Sequence, residues 1–240
     1  MVWWLKVGLH QLPMAGASPP VPGPAPASRS RGSGIEPTGL PVVETFHSLQ
    51  GEGLHAGRSA FFIRLAGCTV GCSWCDTKHS WPAASHGRRS LAALLSEAQA
   101  AAAAGAAFVV ITGGEPLHHD LHPLCQSLEP AGLPLHLETS GVDPLSGSFA
   151  WISLSPKRHR PPAAALLAAC QELKLVVHER ADLDFAEAMA AAALAAGNRP
   201  ALLLQPGWEC PAGERLAVDF VRGHPHWRLS LQNHKRLGLR

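Results

Sequence analysis

The sequence predicts an α/β fold: a parallel sheet with covering helices that stops short of a closed barrel. Three observations carry that expectation. From residue 42 onward, short apolar runs rich in Val, Ile, Leu and Phe alternate with alanine-rich stretches, the pattern of strands joined by crossover helices. Gly-, Pro- or polar-bearing clusters repeatedly follow the strand candidates, and strand carboxyl ends form the functional rim of parallel folds. The patterned region is also a core of roughly 200 residues, shorter than a typical full barrel, so the expected architecture is an incomplete, open (β/α) barrel.

In chain order, strands are predicted over residues 42–46, 60–65, 108–112, 135–137, 151–154, 173–177, 201–204 and 228–231. Helices are predicted over about residues 90–103, 120–128, 162–169, 183–196 and 213–223. Ahead of them, residues 13 to about 41 are dominated by Pro, Ala, Gly and Ser, as in Pro19-Pro20-Val21-Pro22-Gly23-Pro24. Such a stretch buries too little apolar surface to offset its ordering entropy. Residues 1–40 are therefore read as a flexible low-complexity extension, with Met14 an alternative start, and residues 41–240 as the single domain.

An apolar content of 46% against 16% charged residues excludes global disorder. A formal net charge of +2 advertises neither nucleic acid nor membrane as a partner. Arg222, Arg228, Lys235, Arg236 and Arg240 gather near the end and read as a solvated face, with an anionic substrate as the sharper alternative. Trp3-Trp4-Leu5 is cut off by Lys6, too short for a signal-peptide core or a membrane span, so the expected compartment is the cytoplasm. Six cysteines are too few for a disulfide scaffold in a chain of 240 residues.

Three of those cysteines fall in Cys68-Thr69-Val70-Gly71-Cys72-Ser73-Trp74-Cys75-Asp76-Thr77, while Cys125, Cys170 and Cys210 are scattered. Intervals of three and two residues let one loop wrap three thiolates around a compact metal centre. Structural zinc asks for four ligands, as does an electron-transfer [4Fe–4S] cluster. Three cysteines leave one iron open to an outside ligand. Zinc completed by His79 or a distant cysteine is the competing reading. His118, His119 and His122 do not have ordinary ligand spacing and are placed at a polar helix start instead.

The Cys-x3-Cys-x2-Cys loop resembles the signature of the radical S-adenosylmethionine superfamily, and Gly113-Gly114-Glu115-Pro116 resembles its second motif. Blocks around them narrow the resemblance to the 7-carboxy-7-deazaguanine synthase family: Leu49-Gln50-Gly51-Glu52-Gly53, Phe62-Ile63-Arg64-Leu65-Ala66-Gly67, Leu137-Glu138-Thr139, Ser155-Pro156-Lys157, Glu172-Leu173-Lys174, Gln205-Pro206 and Trp227 to Lys235. They run collinearly from about residue 42 to the terminus. Two departures stand out: Ser140 sits where the family often has Asn, and Gly207-Trp208-Glu209-Cys210 has no clear counterpart.

The resemblance implies conversion of 6-carboxy-5,6,7,8-tetrahydropterin to 7-carboxy-7-deazaguanine and ammonia, on the route to queuosine and other deazapurines. It implies a [4Fe–4S] cluster on Cys68, Cys72 and Cys75, S-adenosylmethionine on the open iron as a reusable radical source, and Mg²⁺ on Thr77, whose hydroxyl is a hard ligand. Trp74, Cys75, Asp76, Gly114, Glu138, Ser155, Pro156, Lys157, Gln205 and Pro206 are implied as the cofactor wall, Glu138 standing between cofactor and substrate. Leu49, Gln50, Gly51, Arg64, Thr112, His234 and the α-carboxylate of Arg240 are implied as substrate contacts, with Arg64 suited to a bidentate carboxylate pair. Glu52 is read as structural, closing its turn. The implied partners are an external one-electron donor such as flavodoxin and a second copy in a homodimer. A glycyl-radical activating enzyme and a non-catalytic zinc or Fe–S module remain as rivals; the Gln50-Gly51-Glu52 and Gln232-Asn233-His234 blocks favour a small-molecule pocket.

Overall fold

The computed structural model describes residues 39–239. The expectations for residues 1–38 and for Arg240 lie outside them.

The elements run β1 (Gly39–Leu49), β2 (Ser59–Leu65), β3 (Arg88–Ser90), α1 (Leu91–Ala103), β4 (Val109–Gly113), α2 (His122–Leu128), β5 (Leu135–Thr139), β6 (Trp151–Leu154), α3 (Ala164–Ala169), β7 (Glu172–Val177), α4 (Arg180–Ala195), β8 (Ala201–Pro206), α5 (Pro211–Gly223), β9 (Trp227–Leu229) and α6 (Asn233–Leu237). One sheet holds all these strands in the order β3-β1-β2-β4-β5-β6-β7-β8-β9. Its ends, β3 and β9, do not pair, so the sheet is an open, incomplete barrel. From β2 through β4 to β9 every pairing is parallel.

The sheet departs from the all-parallel expectation at one edge. β1 pairs antiparallel with both β2 and β3. The connection from β1 to β2 contains no helix, and only an antiparallel pair can be joined without a crossover. β3 and α6 were not predicted: three and five residues are too short to show a period. α4 begins earlier than expected because Glu179 and Asp182 form a reciprocal capping box.

Side-chain parity divides the sheet into two faces. Phe61, Ile63 and Leu65 of β2, Val109 and Ile111 of β4, Leu135 and Leu137 of β5, and Leu173, Leu175 and Val177 of β7 point to one core. There they meet Leu94 of α1, Leu124 and Leu128 of α2, Leu166 of α3, Leu183 of α4 and Ala217 of α5. The alternate residues point the other way. On β2 and β4 these are Ala60, Phe62 and Val110, which form a small second cluster with Phe108. On β5 to β8 they are largely polar: His136, Ser153, Glu172, Lys174 and Gln205, all buried. A parallel sheet covered on both faces normally carries apolar side chains on both. Polar residues sealed on one face mark that face as the site.

Candidate functional site

The cysteine loop leaves β2 at Leu65 and is fixed before any ligand arrives. Gly67 N donates to Ser80 O at 2.7 Å and Cys68 N to Trp81 O at 3.1 Å. Arg160 Nη1 donates to Thr69 O at 2.7 Å, and His159 Nε2 lies 3.0 Å from Val70 O. Thr69 N donates to His118 Nε2 at 3.1 Å, which makes that nitrogen an acceptor and places the ring proton on Nδ1, facing the Asp143 carboxylate. His118 is thus a brace for the loop. His119 Nε2 bonds Ala66 O at 2.8 Å and His122 bonds Asp120 at 2.9 Å, so the three histidines serve three separate local contacts.

Cys68, Cys72 and Cys75 are all free thiols, and Cys75 Sγ lies 3.5 Å from Thr77 Oγ1. Burial raises the Cys68 and Cys72 pKa values, so thiolate formation there needs a positive centre alongside. Among the described residues no three His, Cys, Asp or Glu side chains converge on a single ion. A cubane makes a different demand, since each of its cysteines ligates an iron of its own. Three soft donors spaced along one loop fit such a cluster, and the Thr77 hydroxyl with the Asp76 carboxylate fits a hard cation.

The turn after β4 is keyed to the loop. Gly113 has φ +136°, and a β-carbon there would strike the backbone of Leu65; one on Gly114 would strike Gly67 O and sit 3.0 Å from Cys68 Cβ. Gly114 N donates to Leu65 O and Glu115 N to Gly67 O, each at 2.9 Å. The Glu115 carboxylate is buried and fully used, accepting from Thr139 Oγ1 (2.5 Å), Ser140 N (2.8 Å), Ser140 Oγ (2.5 Å) and Leu117 N (3.1 Å).

Beside the loop lies a pocket of about 700 Å³, ample for two small molecules bound together. Its polar wall is internally paired. Glu138 accepts from Gln50 Nε2 at 2.8 Å and Thr112 Oγ1 at 2.9 Å. Lys174 Nζ is paired with Glu52, which also accepts from Gln232 Nε2 at 3.0 Å. Ser230 Oγ donates to Gln205 Oε1 at 2.9 Å and accepts from Gly53 N at 3.0 Å. Glu172, which lines a small cavity adjoining that wall, accepts from Ser153 Oγ and Leu54 N, each at 2.7 Å. Burial alone would raise the Glu52 pKa; the charge and hydrogen bond of Lys174, with bonds from Gln232 and Gln205, hold it down at about 2. Burial lowers Lys157, whose Nζ donates to Ser155 Oγ at 2.7 Å.

The Radical SAM superfamily model matches residues 62–150, which contain the cysteine loop and the Gly113-Gly114 turn. A 7-carboxy-7-deazaguanine synthase of Prochlorococcus marinus is 50% identical, over 84% of this chain and 99% of its own. The chain belongs to the 7-carboxy-7-deazaguanine synthase family. The Synechocystis member is 51% identical over 83% of this chain and 93% of its own. The crystal structure of QueE from Escherichia coli superposes with a TM-score of 0.71 at 34% identity, covering 81% of this chain and 94% of that one.

Most residues that the family resemblance singled out line this one pocket: Leu49, Gln50, Gly51, Arg64, Cys72, Trp74, Cys75, Asp76, Thr77, Thr112, Glu138, Ser155, Lys157, Gln205 and His234. Cys68, Gly114 and Pro156 are not in its wall; Gly114 faces the loop and Pro156 is buried. Pro206 lines a smaller neighbouring cavity of about 230 Å³ behind Trp208. Glu52 is more than a turn-closing residue, since it lines the pocket and carries the ion pair with Lys174. Ser140, the departure from the family's Asn, supplies two of the bonds that hold Glu115.

Three contributors were given no role in the sequence reading. Lys174 was signalled by a charge alternating with leucines in β7. Glu44 holds Arg64 Nε at 3.0 Å, which leaves the outer guanidinium edge for a ligand. Trp208, in the unaligned segment, lines both cavities.

The Glu52–Lys174 pair gives a direct test. Lys174→Met strands a buried carboxylate and is expected to cost about 3–5 kcal/mol, read from the urea midpoint at neutral pH; adding Glu52→Gln should restore most of it. The folded Glu52 value of about 2 lies below the ordinary glutamate value of about 4.3. Its contribution is therefore complete above that ordinary value and is lost as pH falls toward the folded one. The native protein should weaken across that window more than Glu52→Gln does.

Proposed function

We propose that residues 41–240 catalyse the ring contraction of 6-carboxy-5,6,7,8-tetrahydropterin to 7-carboxy-7-deazaguanine with release of ammonia, in deazapurine and queuosine biosynthesis. The observation that carries this reading is the meeting of the cysteine loop, with the free thiols of Cys72 and Cys75 in the wall and Cys68 on the same loop, with paired polar and charged side chains in one pocket at the strand carboxyl ends. When bound, the cluster and S-adenosylmethionine supply the hydrogen-abstracting radical.

The chain's own residues bind, orient and exclude. Cys68, Cys72 and Cys75 hold the cluster. Trp74, Asp76, Gly114, Ser155, Pro156, Lys157, Gln205 and Pro206 support the cofactor, with the Lys157 ammonium beside Ser155 suited to a carboxylate. Arg64, steadied by Glu44, receives the substrate carboxylate, and Thr77 offers its hydroxyl to Mg²⁺. Gln50 and Thr112 use up one hydrogen bond on each Glu138 oxygen. Each oxygen keeps acceptor capacity for ring N–H groups of the pterin. Leu49, Gly51 and His234 close the substrate side. Burial lowers the His234 pKa, so the ring meets the substrate neutral near pH 7.

An external one-electron carrier such as flavodoxin reduces the enzyme, which works as a cytoplasmic homodimer. No helix among the described residues is long and apolar enough to cross a membrane. Light scattering, and turnover with flavodoxin in place of a chemical reductant, check the dimer and the donor.

Anaerobic assay of the reconstituted chain with the carboxy-tetrahydropterin, S-adenosylmethionine and reductant is expected to release ammonia and the deazaguanine, with or without residues 1–40. Alanine at Cys68, Cys72 or Cys75 should abolish iron binding and turnover, while alanine at Cys125, Cys170 or Cys210 should leave both; a full cluster in Cys72→Ala would refute the assignment. Mg²⁺ should raise turnover, and Thr77→Ala should blunt that response more than it weakens S-adenosylmethionine binding; identical rates with Mg²⁺ and after chelation would remove the metal. A C-terminal tag, which blocks the Arg240 carboxylate, should raise KM where an N-terminal tag does not, and equal kinetics for the two would exclude Arg240 from the site.

A further inference from the structure

We infer that Lys235 is a positioning residue that couples the cofactor side of the pocket to its substrate side. α6 spans both. At its start, Asn233 N donates to Gly51 O at 2.9 Å. The His234 ring sits so close to Gly51 that a β-carbon there would collide with its Cγ at 2.7 Å. The next residue reaches elsewhere: Lys235 Nζ lies 2.5 Å from Asp76 Oδ2, beside Cys75 in the cysteine loop, and 5.1 Å from the centre of the Trp208 ring. Three consecutive residues of a five-residue helix thus hold the substrate turn, the cysteine loop and the segment between β8 and α5.

A plain surface ion pair is the simplest alternative, and such pairs contribute little. Here the lysine side chain is only 18% exposed, although Asp76 is 53% exposed, and the ammonium also sits over an indole, which strengthens its placement. α6 buries none of its own residues fully, so beyond the His234 ring set against Gly51 its polar contacts hold its position. Among the described residues no other hydrogen bond or ion pair joins α6 to the cysteine loop. Lys235 is the mechanical link. A ligand that orders Asp76 draws α6 with it and sets His234 against Gly51. Such coupling is reciprocal: the pterin must tighten the cofactor by the factor by which the cofactor tightens the pterin.

This inference rests on the proposed reading of the pocket as a joint cofactor and pterin site. The test is anaerobic titration of the pterin into cluster-loaded full-length protein without reductant, at fixed Mg²⁺, with and without saturating S-adenosylmethionine. Without reductant nothing turns over, so the readout is affinity alone. In the native protein the cofactor should tighten the pterin about tenfold, within the usual range of such couplings. Lys235→Arg should keep most of that factor. Lys235→Met should bring it to about one, with iron content and the affinity for each ligand alone nearly unchanged. The inference is overturned by a native factor of one, by a full factor in Lys235→Met, or by a Lys235→Met protein in which each ligand alone binds far more weakly. Absence of any pterin binding to the native protein would instead sink the proposed function.

Discussion

The Glu52–Lys174 ion pair is the interaction on which the pocket depends. It stands where β7 turns a charge inward, beside Glu138 and Glu172, and without it this face would hold a cluster of carboxylates shielded from water. Charges taken out of water are tolerated only when paired and bonded. The surrounding amides and hydroxyls complete that pairing: Gln232 on Glu52, Gln50 and Thr112 on Glu138, Ser153 on Glu172. Because these partners come from β4, β6, β7, the turn after β1 and the segment before α6, the same network that neutralises the charges also registers the walls of the site against one another. A pocket built this way is pre-organised, and its polar groups keep their directions when water leaves.

The cysteine loop achieves rigidity by other means. It contains no regular element, yet Arg160, His159 and His118 hold its outer carbonyls and amide, and the two glycines after β4 let the neighbouring turn close directly onto it. Burial of Cys68 and Cys72 works against their ionisation. The loop is therefore shaped for a metal centre while burial disfavours the thiolates of Cys68 and Cys72, and the centre's own charge is what completes it.

Much of this was legible in the sequence, and the reasons differ between parts. The eight predicted strands all exist because their apolar runs are bounded by Gly, Pro and polar clusters, and the rim clusters do gather at one mouth. The three-cysteine spacing pointed to a metal centre, and the family resemblance, not the spacing, narrowed it to a cluster with an open iron. The antiparallel edge was missed because nothing in β1 alone announces its direction; that follows from a connection without a helix. Lys174, though quoted in the Glu172-Leu173-Lys174 block, was given no role because residues 173–177 were read as an apolar run, although Glu172 and Lys174 fall on alternate positions. A burial pattern of period two inside a parallel sheet was the available signal. Lys235 lay in a basic stretch, and only its placement against Asp76 distinguishes it from a solvated charge.

The same period of two has a consequence for how such a chain can change. Along β7, Leu173, Leu175 and Val177 answer to the helices, while Lys174 and Val176 answer to the pocket and Glu172 to the small cavity adjoining it. Neighbouring codons therefore serve separate selective demands. Drift among leucine, isoleucine and valine on one parity retunes stability and leaves the chemistry untouched. Substitutions on the other parity redirect the pocket toward a different ligand and leave the core in place, provided the buried charges of Glu52 and Lys174 change together. An insertion of one residue, by contrast, exchanges the two sets at once, so a lineage of this kind explores new substrates by replacement within strands and keeps its changes of length for the loops.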